Sequence, residues 1–362
     1  MSLADWNLEI GGRKSSLVQM RFSAPLSLGS SPVGTFVYLV PTSFLFLIVS
    51  LPFCSHILTF SCFTEFQIIN TNTLTMASPQ QIKTTVTDLL GIKHPILLAG
   101  MGGASGSKLA AAVTNAGGMG VIGGNGYTPA MLRDEIAELK SYLHDKSAPF
   151  GVDLLIPQIG GNARKTNSDY NKGKLNELID VMIEAGARLF VCAIGIPPQE
   201  VVDKLHRNGL LYMNMVGHPK HVQKALDRGA DLICAQGGEG GGHTGDVPLS
   251  VLIPEVVRLC DKKTSSHTGK PVQVIAAGGI SNGQTLSASL MLGASAVWVG
   301  TRFVLSEESN ASRQHQEAVR TAGFDDNIRT IIFSGRPLRV RNNPYINDWE
   351  TNSMSIQGSD LR

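Results

Sequence analysis

The strongest constraint on the fold is a strand–helix pattern that repeats eight times between residues 94 and 322. Each unit starts with a short apolar run, typical of a parallel strand covered on both faces. A segment with apolar residues at helical spacing follows, and several of these segments end at a glycine, which can close the last helical turn. The predicted strands are 94–101, 119–124, 150–156, 188–195, 210–216, 230–236, 272–278 and 295–301. The predicted helices are 107–116, 129–143, 175–185, 198–208, 219–228, 251–262, 282–292 and 310–322, and the predicted stops are Gly117, Gly186, Gly209, Gly229, Gly293 and Gly323.

Eight consecutive units predict an α/β fold of the TIM (β/α)8 barrel type. The alternative is an open doubly wound sheet, which two glycine motifs at residues 100–106 and 240–245 favour. The second motif does not open a helix at once, because residues 246–248 intervene. The first motif lacks the acidic residue that would hold a ribose at the end of the next strand, which reads Gly123-Gly124-Asn125. The barrel is therefore the favoured interpretation.

The carboxyl ends of barrel strands carry the chemistry of this fold, and here they are rich in glycine. The loops after the seventh and eighth strands are where such barrels often bind phosphate. Backbone N–H groups there, the Thr301 hydroxyl and the N-terminus of the helix near Asn282 would attract an anion. The alternative is that the glycines only form tight turns. The predicted phosphate site consists of Gly278, Gly279, Gly300 and Thr301.

His243 lies in the loop QGGEGGGHTGD, directly after the sixth predicted strand. Glycine lets the backbone approach a flat ligand, and histidine exchanges protons near neutral pH. The loop therefore predicts a cofactor site with an acid–base residue. The alternative is that His243 merely caps the loop. Glu239 and Asp246 flank His243, and the sequence leaves open whether either orients the imidazole or is simply solvated.

Several classes of function lack support in the sequence. A net charge of +2 gives no argument for binding nucleic acid. The five cysteines form no Cys-x-x-Cys pair, and no histidine and carboxylate cluster has metal-ligand spacing, so no metal site is predicted. Buried free thiols in a reducing compartment are the expected state of these cysteines. The serines of the first glycine-rich loop have no histidine partner that would indicate a hydrolase.

The first 75 residues differ in composition from the rest. Residues 22–64 contain no Asp, Glu, Lys or Arg, and residues 33–53 are long and apolar enough to span a bilayer. Three interpretations remain open: a membrane anchor, a targeting segment, or a stretch absent from the mature protein, with translation starting at Met76. The last predicts a cytoplasmic protein and the first a membrane-anchored one. The predicted organisation is an atypical extension at 1–75, the barrel at 76–335 and a tail at 336–362.

Six motifs, in order, resemble the nitronate monooxygenases, also called 2-nitropropane dioxygenases, and most closely their fungal members. They read HPILLAGMGG, LAAAVTNAGGMGVIGG, PFGVDLL, GGEGGGHTGD, VIAAGGISNG and ASAVWVGTRF, and the resemblance covers about residues 82–349. It implies a TIM barrel that binds FMN. A flavin-dependent enoyl reductase and an NADH:quinone reductase share much of the pattern. Family members usually continue beyond residues 336–350, so a truncated or atypical C-terminal lid is expected.

The resemblance also implies roles for individual residues. His243 corresponds to the catalytic base that faces the flavin. Where the family often has asparagine on the third strand, this chain has Asp153, and an ionised carboxylate near a flavin would oppose its reduction. The implied flavin-binding residues are Gly100, Met101 and Gly102 after the first strand, Gln236 and Gly241 in the histidine loop, and Gly278, Gly279, Gly300 and Thr301 at the phosphate.

The activity implied by the resemblance is oxidation of alkyl nitronates, or of nitroalkanes, by O2 to a carbonyl compound and nitrite. Two alternatives stay open: an FMN-dependent NAD(P)H reductase of quinones or enoyl thioesters, and an inactive or non-catalytic barrel. The implied partners are the small-molecule substrate and O2, with a homodimer as a possible assembly. Contact with a membrane is expected only if residues 33–53 are retained as an anchor.

Overall fold

The computed structural model describes residues 81–161 and 167–359, with side chains up to residue 352. The predicted extension 1–75, including the membrane-length segment 33–53, lies outside these ranges. Within them, no helix is both long and apolar enough to cross a bilayer. The strands are β1 (Ile96–Leu98), β2 (Gly120–Gly123), β3 (Phe150–Leu155), β4 (Leu189–Ala193), β5 (Leu211–Val216), β6 (Leu232–Gln236), β7 (Gly242–His243), β8 (Gln273–Ala277), β9 (Ala296–Val299), β10 (Asn327–Thr330) and β11 (Leu338–Arg341).

Eight of these strands form one parallel sheet, in the order β1-β9-β8-β6-β5-β4-β3-β2. The sheet closes on itself through a parallel bridge between Leu97 and Met119. Two backbone hydrogen bonds of 2.9 Å make this closure, from Leu98 N to Met119 O and from Met119 N to Ile96 O. The predicted TIM barrel is therefore confirmed, with all eight predicted strands in place. Several strands are shorter than predicted because the apolar runs continue past the last ladder hydrogen bond into the loops.

Helices surround the sheet, and each predicted helix is present. The segment predicted as one helix at 219–228 forms a 3-10 turn, Pro219–His221, followed by a short α-helix. Five of the six predicted glycine stops have positive φ, between +69° and +99°, and Gly323 does not. The helices are α1 (Thr85–Leu90), α2 (Ser107–Asn115), α3 (Pro129–Tyr142), α4 (Leu175–Glu184), α5 (Gln199–Arg207), α6 (Val222–Asp227), α7 (Leu249–Cys260), α8 (Gly283–Met291), α9 (Thr301–Val304), α10 (Arg313–Arg320) and α11 (Pro344–Ser359).

The core has two layers, because successive side chains of a strand point to opposite faces. Outward-facing residues such as Val152 and Leu154 pack beneath the helices. Inward-facing residues such as Leu97 and Val191 fill the barrel, and this inner layer includes Leu90 of α1. α1, which the strand–helix pattern did not predict, thus covers the N-terminal end of the barrel. The C-terminal end of the barrel carries the glycine-rich loops that follow the strands.

Close packing of helix on strand predicts a large effect of Gly120→Ala. A β-carbon added at Gly120 would lie 2.0 Å from the backbone oxygen of Ala110 in α2, so helix and strand must separate. We expect a loss of about 2–4 kcal/mol in the free energy of unfolding, measured by urea denaturation.

Gly283→Ala is the matched control, because a β-carbon there meets no atom within 4 Å. Gly283 begins α8, where alanine favours the helix, so the free energy of unfolding should change by less than about 1 kcal/mol. Equal stabilities of the two variants would contradict this packing.

Candidate functional site

His243 is held at the C-terminal rim of the barrel from two sides. The loop after β6 forms the short strand β7, which pairs antiparallel with β11 so that His243 lies opposite Leu338. The side-chain amide of Gln236 donates a 2.9 Å hydrogen bond to the carbonyl oxygen of His243. These contacts fix the backbone that carries the imidazole. Gln236, predicted to lie near the cofactor, therefore also braces the histidine loop.

The imidazole of His243 is half-buried and oriented by a serine. Its Nε2 lies 2.8 Å from the hydroxyl oxygen of Ser334. Burial lowers the pKa of His243 below its usual value, and the positive charge of Arg336 lowers this pKa further. The Arg336 guanidinium also donates a 2.9 Å hydrogen bond to Asn167 Oδ1. The ring is consequently neutral at pH 7, with a lone pair that can accept a proton.

Neither carboxylate of the histidine loop orients the imidazole. The Glu239 carboxylate accepts hydrogen bonds of 3.1 Å from the backbone N–H of Leu249, the first residue of α7. Asp246 forms an ion pair with Arg329 of β10. Ser334 and Arg336, which the sequence did not single out, take the places beside the ring. The available signal was weak: residues 338–341 alternate apolar and charged residues as a strand does, but nothing in the sequence indicates pairing with the histidine loop.

The glycines predicted to bind a cofactor bring four rim loops into contact. A β-carbon added at Gly300 would lie 3.4 Å from the sulfur of Met101, which joins the loops after β9 and β1. A β-carbon added at Gly241 would lie 3.4 Å from the hydroxyl oxygen of Thr301, which joins the loops after β6 and β9. Side chains at these two positions would fill the space between the loops. Space remains between these loops because glycine has no side chain to fill it.

The loop after β8 meets the histidine loop at backbone distance. A β-carbon added at Gly278 would lie 2.9 Å from the carbonyl oxygen of Gly237, and Gly278 has φ of +100°. Gly279 follows with φ of +68°. Alanine at either position would combine strain with close contact. The chain therefore makes this turn only with glycine, close to the histidine loop.

Backbone donors are available at this part of the rim. Among the described residues, the N–H groups of Gly279 and Thr301 have no hydrogen-bond acceptor. Asn282 is the N-cap of α8 and forms a capping box: its side chain accepts from the N–H of Thr285, whose hydroxyl accepts from the N–H of Asn282. N–H groups that point away from the fold can bind the oxygens of an anion. This part of the rim is suited chemically to a phosphate group.

The loop after β1 lies at the other side of the rim. Gly102 is exposed, and a β-carbon there would lie 3.8 Å from the Asn125 side chain. Gly100 packs against Asp153 of β3, because an added β-carbon would lie 2.3 Å from Asp153 Cβ and 2.6 Å from its Oδ2. The structure thus places Gly100 of the first loop next to Asp153, the residue that stands where the family often has asparagine.

Asp153 is a carboxyl group inside the barrel. Its neighbours Val152 and Leu154 belong to the outer core layer, so Asp153 points inward, and it is 5% exposed. Burial raises its pKa from 3.8 to about 8. Among the described residues, its Oδ1 is a buried oxygen without a hydrogen-bond partner. The carboxyl is therefore protonated at neutral pH in the folded chain.

The buried acid predicts a pH dependence of stability. With a pKa of about 8 when folded and 3.8 when unfolded, the native state binds one more proton between these values. Stability from this group is therefore lost as pH rises, by about 1.4 kcal/mol per pH unit. In urea unfolding of the ligand-free protein, the stability of Asp153→Asn relative to the parent should increase by about 2.5 kcal/mol from pH 5 to pH 7. A difference that stays constant with pH would contradict a protonated Asp153.

Comparison with known proteins gives a consistent picture. A sequence model of the nitronate monooxygenase family matches residues 83–359. The chain is 35% identical over 269 residues to a "(3aS,4S,5R,7aS)-5-hydroxy-7a-methyl-1-oxo-octahydro-1H-indene-4-carboxyl-CoA dehydrogenase" of Rhodococcus jostii, covering 74% of this chain and 68% of that protein.

Two solved structures are similar over most of the barrel. FabK from Thermotoga maritima is 34% identical, with a TM-score of 0.63 over 74% of this chain and 77% of that one. A nitroalkane oxidase from Streptomyces ansochromogenes is 29% identical, with a TM-score of 0.63 over 72% and 80%. Because the family match extends over most of the sequence and agrees with the barrel and its rim, the chain belongs to the nitronate monooxygenase family of flavin-dependent oxidoreductases.

Proposed function

We propose that this protein uses FMN to oxidise alkyl nitronates with O2, giving a carbonyl compound and nitrite. The observation that carries the proposal is the pairing of a neutral, half-buried His243 with the positive charge of Arg336 at the rim. A nitronate is planar and negatively charged, so a nearby cation favours its binding. A neutral imidazole favours proton removal from the parent nitroalkane.

The residues at the rim fit FMN. The N–H groups of Gly279 and Thr301, which have no acceptor in the described part of the chain, would hold the phosphate together with Gly278 and Gly300. The exposed glycines leave room for a flat ring, and the carboxyl group of Asp153, whose Oδ1 has no hydrogen-bond partner among the described residues, packs against Gly100 of the first loop. The residues that would line the ring are Gly100, Met101, Gly102, Gln236 and Gly241. When bound, FMN supplies the electron transfer from substrate to O2.

The side chains of this chain supply position and proton transfer. His243 accepts the proton next to the nitro group when the substrate is a neutral nitroalkane. The hydroxyl of Ser334 holds the ring through Nε2, and Arg336 stabilises the negative charge that develops on the nitro oxygens. A preformed nitronate has already lost that proton. Only the nitroalkane reaction therefore depends on His243 as a base.

His243→Ala tests this role. Turnover of a neutral nitroalkane should fall by about 10²- to 10⁴-fold, turnover of the preformed nitronate should fall far less, and FMN content should not change. Because the pKa of His243 is lowered, nitroalkane turnover by the parent should stay high at pH 7 and decline only as pH falls below about 6.5. The exposed His144 provides the control His144→Ala, which should match the parent. Equal nitroalkane turnover by His243→Ala and the parent would contradict the assignment.

An FMN-dependent reductase or dehydrogenase of thioesters is the second candidate. Arg339 of β11 pairs with Gly242, and Arg336 lies two residues before Leu338, the residue opposite His243, so this segment adds positive charge beside the histidine loop. Phosphate-bearing substrates such as NAD(P)H or a coenzyme A thioester would benefit from that charge. A relative named as a carboxyl-CoA dehydrogenase supports the same candidate.

One anaerobic experiment separates the candidates. Purified protein reconstituted with FMN is mixed with NADH or NADPH, and separately with propyl nitronate, while the flavin absorbance is followed. We expect the nitronate to change the flavin spectrum and the nicotinamides to leave it unchanged. Rapid bleaching by NADH or NADPH, with no response to the nitronate, would instead establish the reductase. Failure to take up FMN would show a non-catalytic barrel.

A further inference from the structure

The carboxyl group of Asp153 points into the barrel directly below the loop after β1. Asp153 pairs in register with Gly123 of β2 and Val191 of β4, and both flanking residues on β3 pack outward. The absence of a β-carbon at Gly100 is what makes room for the carboxyl, since that carbon would overlap it. The group therefore lies at the floor of the space that the rim loops enclose.

One oxygen of this carboxyl lacks a partner. Oδ1 is buried and makes no hydrogen bond to any residue that the structure describes. Buried polar atoms are almost always satisfied, so an exception calls for an explanation such as an ordered water or a bound ligand. The carboxyl group that carries this oxygen packs against Gly100 through its Cβ, Cγ and Oδ2, and Gly100 belongs to the loop after β1 at which the proposed flavin would bind. A ligand atom is therefore a natural partner.

The surroundings of Asp153 decide its charge. Gly100 and Gly123 bring no charged side chain to it, and the titratable groups coupled to it are the buried thiols of Cys192 in β4 and Cys234 in β6. Among the residues that the structure describes, no cation acts on the pKa of this carboxyl, which burial raises to about 8. A neutral carboxyl can donate a hydrogen bond, whereas an ionised one can only accept.

We propose that Asp153 keeps its proton in the folded barrel and donates it in a hydrogen bond to an acceptor atom of the flavin ring, so that flavin affinity is linked to the protonation of this one carboxyl. The proposal rests on the proposed FMN site. It differs from a simple polar contact because it makes binding depend on pH. Loss of the proton removes the donor and places a negative charge against a ring acceptor atom.

The test is titration of the full-length apoprotein with FMN from pH 6 to pH 9.5, followed by quenching of flavin fluorescence. For the parent, the dissociation constant should be constant up to about pH 8 and then rise up to tenfold per pH unit, as expected for one linked proton. Asp153→Asn keeps a donor and cannot ionise. It should bind within about threefold of the parent at pH 6 and show no such rise, and it also controls for titration of FMN itself.

Asp153→Ala removes the donor and should bind FMN about tenfold more weakly at pH 6, as expected for loss of one hydrogen bond. Circular dichroism and thermal unfolding check that both variants fold. A parent profile that matches Asp153→Asn at every pH, or an alanine variant that binds as tightly as the parent, would overturn the inference and leave the FMN site intact. Absence of FMN binding by the parent at pH 6 would overturn the proposed function together with the inference.

Discussion

Closure of the sheet between β1 and β2 is the constraint on which the site depends. The two hydrogen bonds that join Leu98 to Met119 and Met119 to Ile96 turn eight parallel strands into a ring. In a ring, the carboxyl ends of strands far apart in sequence surround one opening. The parallel ladder between β1 and β9 completes the ring on the other side of β1, so the loops after these two strands meet at Met101 and Gly300, although about 200 residues separate them in the chain. Without the bridge between β1 and β2, these two strands would lie at opposite edges of an open sheet, and the loop after β1 would not reach Asp153 of β3.

The rim shows how a rigid scaffold supports segments that are unfavourable by themselves. Gly278 and Gly279 adopt positive φ angles, and Gly241 and Gly300 leave space that side chains would fill. Glycine loses more conformational freedom on folding than other residues, so such loops reduce stability. Asp153 adds a second unfavourable feature, a buried carboxyl that must stay protonated. The two dense layers of the core offset these losses, and both features occur where a ligand would gain from them.

The sequence predicted the features that depend on residues close together in the chain. Apolar runs and helix-ending glycines located all eight barrel strands and their helices, because each signal lies within one element. His243 was found because its loop is unusual in composition. Ser334 and Arg336 were missed because pairing of β7 with β11 brings them to the imidazole across some 90 residues, and no local signal marks that pairing. α1 was missed because six residues are too few for helical periodicity to stand out.

The account rests on one phosphate being held between the loops after β8 and β9. The most direct measurement compares the affinity of the apoprotein for FMN with its affinity for riboflavin, which has the same ring and no phosphate. The N–H groups of Gly279 and Thr301 have no acceptor among the described residues. They predict that FMN binds one to one and at least about 100-fold more tightly than riboflavin, as two charge-assisted hydrogen bonds would give. Equal affinity for the two compounds would contradict the phosphate site and, with it, the arrangement proposed for the whole rim.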